Sequence, residues 1–71
     1  MKIIKGKFCM PCRMLSQWLA DNNIEIPEEF ADDNPVVEKY GIKQTPALIT
    51  DDGTVIQGLE DIKEYLEEEN E

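Results

Sequence analysis

Two cysteines, Cys9 and Cys12, stand three residues apart, and the chain has no others. A disulfide between them closes a loop too short to remove much chain entropy. The 71 residues therefore have no long-range staple. A chain of this size is near the lower limit for a self-sufficient core. One domain over residues 1–71, with helices packed tightly on a sheet, is the expectation. The same spacing makes the pair better suited to chemistry than to stapling. There is no histidine, so a four-ligand zinc site within a monomer and catalysis by a histidine base are both excluded.

No stretch reaches the eighteen or so apolar residues of a membrane span, so no membrane partner is expected. Met1–Gly6 lacks the apolar run of a secretory signal, which points to a cytoplasmic protein. In a reducing compartment a lone CxxC pair reads as redox or metal chemistry rather than structure. A net charge of −9 argues against nucleic acid as a partner. Residues 1–20 nevertheless contain Lys2, Lys5, Lys7 and Arg13 and no acid. Positive charge around the cysteines would favour a thiolate.

Lys2–Phe8 reads as a short strand running into a loop. Cys9-Met10-Pro11-Cys12 then opens a helix, with Pro11 in the first turn where a missing N–H is harmless. Met14, Leu15, Trp18 and Leu19 form its apolar stripe, and Asp21-Asn22-Asn23 ends it. Ile24–Phe30 alternates like a strand, but Pro27 demotes it to an edge or irregular one. Asn34-Pro35 starts a two-turn helix carrying Val36, Val37 and Tyr40, and Gly41 suits its C′ position. Thr45–Thr50 reads as a strand, Asp51–Thr54 as a turn and Val55–Gln57 as the antiparallel return. Gly58 breaks it. Leu59, Ile62, Tyr65 and Leu66 share one face of a last helix, and the acidic Glu67–Glu71 run is expected to fray. The order β-α-β-α-β-β-α implies a right-handed parallel crossover followed by a hairpin. That is an α/β chain with a four-stranded mixed sheet flanked by helices. Trp18, Tyr40 and Tyr65 read as packing residues.

Three stretches carry a resemblance to the thioredoxin/glutaredoxin superfamily. Phe8-Cys9-Met10-Pro11-Cys12-Arg13-Met14-Leu15 resembles W-C-G-P-C-[KR]-M-[IL]. Glu38–Leu48 resembles the E-K-Y-G-[IV]-x-x-x-P-T-L run before the third strand. Asp52-Gly53-Thr54-Val55 resembles the family hairpin. The resemblance implies a minimal glutaredoxin-type thioredoxin-like fold and a dithiol–disulfide oxidoreductase. Cys9 would be the nucleophile and Cys12 the resolving thiol. It also implies a cis peptide before Pro46, facing the cysteines, with the Thr45 backbone pairing to an extended substrate segment. Met10 and Pro11 would contact protein substrates. Gln57-Gly58-Leu59-Glu60-Asp61 is similar to the G-G-x-x-D of glutaredoxins, which places Gly58 and Asp61 where glutathione is held. The simpler reading of Asp61 is an acid at a helix N-terminus.

The implied partners are disulfide-containing proteins, with ribonucleotide reductase as one client. No cofactor is expected within the chain, which is expected to be a monomer. The reductant would be external, either thioredoxin reductase with NADPH or glutathione. Two alternatives accompany this reading: a glutathione-dependent glutaredoxin, and a dimeric metal or iron–sulfur carrier bridged through Cys9. Cluster-binding members usually carry G-F-S after the cysteine, whereas this chain has Met10-Pro11-Cys12. Phe8 and Met10 replace the tryptophan and glycine usual in thioredoxins. The family's buried strand carboxylate falls at Ile3, so Cys12 must lose its proton to water or to another group.

Overall fold

Ile3 and Ile4 are adjacent and both fully buried. Neighbouring strand residues point to opposite faces, so their strand must be covered on both sides. In the computed structural model, which describes residues 1–69, that strand is β1 (Lys2–Lys5). It is followed by α1 (Met10–Asp21), β2 (Glu28–Phe30), α2 (Pro35–Lys39), β3 (Ala47–Ile49), β4 (Val55–Gln57) and α3 (Leu59–Glu69). The sheet order is β2-β1-β3-β4. β1 runs parallel to β2 and antiparallel to β3, and β3 runs antiparallel to β4. The mixed four-stranded sheet and the element order expected from the sequence are both present.

The alternation along the two central strands divides the core. Ile3 and Leu48 pack with Leu15 and Leu19 of α1 and Ile62 and Leu66 of α3. Ile4, Ala47 and Ile49 pack on the other side with Ile42, Val36, Val37 and Tyr40. Fully burying one such aliphatic side chain contributes roughly 1.5–3 kcal/mol, so these two layers supply the stapling that no disulfide provides. Trp18 and Tyr65 are partly buried against the first cluster. Among the described residues no helix is long and apolar enough to cross a membrane.

Three local details depart from the sequence reading. The α1 stripe runs through Cys12, Leu15 and Leu19, all buried, while Met14 is 55% exposed. Positions 12, 15 and 19 follow the 3-and-4 spacing of one helix face, and Met14 lies off it. The strand in Ile24–Phe30 is confined to Glu28–Phe30, at the sheet edge. Ile24 and Ile26 pack on the core from irregular backbone, while the Pro27 carbonyl accepts a hydrogen bond from the Ile3 N–H (2.9 Å). The acidic end was expected to fray, yet Glu67–Glu69 continue α3; Asn70 and Glu71 lie outside the described residues.

Helix α2 is closed at both ends by its own sequence. The Asn34 Oδ1 accepts the Val36 N–H (3.0 Å) as N-cap. At the other end Gly41 has φ 63°. Its N–H reaches the Glu38 carbonyl (3.2 Å), and the Ile42 N–H reaches that of Val37 (2.9 Å), which is a Schellman motif. This ending turns the chain toward Thr45 and Pro46.

The basic first strand is matched by the acidic second. Lys2 pairs with Glu29 (3.4 Å), Lys5 with Glu28 (3.5 Å) and Lys7 with Asp32 (3.3 Å). The Asn34 amide also donates to Glu29 (2.9 Å). That bond chiefly, helped by the charge of Lys2 and opposed by partial desolvation, holds the Glu29 carboxyl below its ordinary pKa. A depressed folded-state pKa contributes stability above the unfolded value, and the contribution is lost as pH falls through the folded value. Glu29→Gln is therefore expected to lower the urea midpoint at neutral pH, with the difference from the parent shrinking as pH falls below about 4. Urea titrations of both proteins across that range check this.

Candidate active site

The loop after β1 delivers Cys9 to the N-terminus of α1. Cys9 has extended backbone (φ −123°, ψ 105°), and its sulfur accepts the Cys12 N–H (3.2 Å), so a sulfur occupies the N-cap role. Pro11 lies in the first turn, as the sequence implied. Cys9 and Cys12 are joined by a disulfide across a Cα–Cα distance of 5.2 Å. The two sulfurs differ in access: Cys9 is half-buried and Cys12 is 3% exposed. The buried face of α1 that carries Leu15 and Leu19 also carries Cys12 inward, and leaves Cys9 at the rim.

Thr45 closes one side of Cys9. Its hydroxyl lies 3.5 Å from the Cys9 sulfur and its carbonyl oxygen 3.7 Å away. A disulfide sulfur has no proton, so the carbonyl approach is a contact here and becomes a weak hydrogen bond only in the thiol. The hydroxyl and the Cys12 N–H are both donors aimed at a sulfur that would carry charge as a thiolate. The Thr45–Pro46 peptide is cis.

Two residues outside the sequence-derived set position this loop. Gly6 leaves room for Thr45, since a Cβ at Gly6 would lie 3.2 Å from the Thr45 hydroxyl oxygen and 3.4 Å from the Cys9 Cβ. Gln57, read from the sequence as the end of the return strand, accepts the backbone N–H groups of Lys43 (2.8 Å) and Gln44 (3.0 Å). Its amide oxygen ties the segment ahead of Thr45 to β4. A link between residues thirteen and fourteen apart leaves no local sequence signal. Gly58, at φ 102°, donates its N–H to the Pro46 carbonyl (2.9 Å).

Pro11, Thr45, Pro46, Gly58 and Asp61 line one open cleft of about 360 Å³. Met10 is not among its lining residues; it is 66% exposed, and Phe8 beside the pair is 98% exposed. The expected cationic surround is also rearranged. Lys5 and Lys7 are engaged by Glu28 and Asp32, and among the described residues Arg13 enters no ion pair. The parallel pairing of β1 with β2 brings those acids alongside, which a charge count along the chain does not show. The Cys12 N–H at the helix start and the Thr45 hydroxyl are the donors that reach the Cys9 sulfur.

Comparison with protein-family models, with curated proteins and with solved structures gave no match. Gln57→Ala is expected to lower stability by about 1 kcal/mol and to speed amide exchange at Lys43 and Gln44. Urea unfolding and hydrogen exchange read the two effects separately.

Proposed function

We propose that this chain is a dithiol–disulfide oxidoreductase of thioredoxin-like fold that reduces protein disulfides through Cys9 and Cys12. The observation that carries the reading is the inequality of the two sulfurs: one at the rim on a helix N-cap, the other buried one turn behind it. Free N–H groups and the helix dipole favour an anion at the first position. The order of strands and helices, the cis Thr45–Pro46 peptide beside Cys9 and the sequence resemblance support the fold assignment.

In the dithiol form the Cys9 thiolate attacks a substrate disulfide. One substrate sulfur leaves with the electron pair of the broken bond, and the other remains in a mixed disulfide with Cys9. The Cys12 thiolate then attacks the Cys9 sulfur. The second substrate sulfur leaves, the substrate has gained two electrons and the Cys9–Cys12 disulfide has formed. Thioredoxin reductase with NADPH, or glutathione, returns two electrons to the pair. Phe8 and Met10 offer an exposed apolar rim to a protein substrate, and the Thr45 backbone offers an edge to an extended segment.

A glutathione-dependent glutaredoxin is the second reading, favoured by the cleft that places Thr45, Pro46, Gly58 and Asp61 together. The third reading is a dimeric metal or iron–sulfur carrier bridged through Cys9; Met10-Pro11-Cys12 stands where cluster-binding members usually carry G-F-S. Coupled NADPH oxidation on the disulfide form separates the first two. Turnover with thioredoxin reductase alone supports the thioredoxin-like donor; turnover with glutathione and glutathione reductase alone supports the glutaredoxin. Cys9→Ser is expected to abolish turnover, and Cys12→Ser to accumulate mixed disulfides visible by mass spectrometry. Retained dithiol turnover in Cys9→Ser contradicts the assignment.

A further inference from the structure

The resolving step requires Cys12 to lose a proton, yet Cys12 is 3% exposed and β1 offers no carboxylate beside it, Ile3 being core. Cys12 lines a cavity of about 380 Å³ between α1 and the residues that follow β1, with room for water. Its other polar lining groups include Lys5, Lys7, Arg13, Ser16 and Gln17. The three cations and the amide accept no proton at neutral pH. The Ser16 hydroxyl can relay a proton, accepting one at a lone pair as it gives up its own. Ser16 lies one turn after Cys12, on the same helix face, and its hydroxyl donates to Glu28 Oε1 at 2.7 Å.

We propose that Glu28, acting through the Ser16 hydroxyl, takes up the Cys12 thiol proton during resolution of the mixed disulfide. This rests on the oxidoreductase reading above. The Cys12 proton passes by way of cavity water to the Ser16 oxygen, and the Ser16 proton passes to the Glu28 carboxylate. The Cys12 electron pair then forms the bond to the Cys9 sulfur, and the substrate sulfur leaves with the pair from the bond that breaks. Glu28 does not touch the sulfur; it is a positioning and proton-accepting residue.

Lys5 keeps the charge balanced. Its Nζ is 3.5 Å from the same Glu28 oxygen, and it lines the cavity that Cys12 faces. When the proton moves, negative charge passes from Glu28, paired with Lys5, to Cys12, on the wall of the cavity that Lys5 also lines. The groups facing Glu28 are thus Ser16 from α1 and Lys5 from β1. Those around Cys12 are Cys9, Lys5, Lys7 and Arg13. Asp32 is the other carboxylate near this wall, but it and Lys7 are each 57% exposed and pair at the surface, with no hydroxyl link to the cavity.

Reduced protein mixed rapidly with a symmetric aryl disulfide, each half of which absorbs light once released, reports the two steps in sequence. The first release is attack by Cys9, the second is resolution by Cys12. Glu28→Gln and Ser16→Ala are each expected to leave the first phase unchanged and to slow the second. The slowing expected is about 100-fold at neutral pH, the lower end of what a positioned acid or base contributes. In both variants the second rate should climb tenfold per pH unit, as unaided thiol ionisation does. An unchanged second phase with an unchanged pH profile overturns the proposal, and so does equal slowing of both phases. Absence of any Cys9 mixed disulfide would instead overturn the oxidoreductase reading itself.

Discussion

The rotation of α1 about its own axis decides which sulfur meets solvent. Leu15 and Leu19 are buried against β1, β3 and α3, and at i+3 and i+7 from Cys12 they share its face. Turning the helix enough to expose Cys12 would pull both leucines out of the core, at roughly 1.5–3 kcal/mol each. The hydrophobic layer thus holds one sulfur back, and the N-cap geometry places the other forward. The unequal exposure of two chemically identical side chains follows from packing.

The second half of the site depends on the opposite layer and on the far edge of the sheet. The closed end of α2 sends Ile42 into the core and the following segment over β4. Gln57 then fastens that segment by two backbone N–H groups, and Gly58 fastens Pro46. Thr45 arrives beside Cys9 because three elements remote in sequence agree on its position. Gly6 supplies the clearance.

Much of this was legible in the sequence, because it rests on local chemistry. Asn34-Pro35 announces a capped helix start, Gly41 its end, and Asp52-Gly53 a hairpin. The cis peptide before Pro46 came only through resemblance, since composition does not distinguish the isomers. What stayed hidden depends on register between distant segments. The acids of β2 alongside the lysines of β1, the Gln57 clip and the Ser16–Glu28 bond all join residues that only the folded sheet brings together. Met14 misleads for a different reason: its hydrophobicity fits a stripe, but the helix face is set by Cys12, Leu15 and Leu19.

Limited alkylation of the fully reduced protein, followed by peptide mass spectrometry, tests the unequal placement of the two sulfurs most directly. Modification at Cys9 is expected to run well ahead of modification at Cys12 while the protein stays folded, and the two should become equal in denaturant. Equal rates in the folded protein, or faster labelling of Cys12, would contradict the burial of the second sulfur on which the mechanism is built.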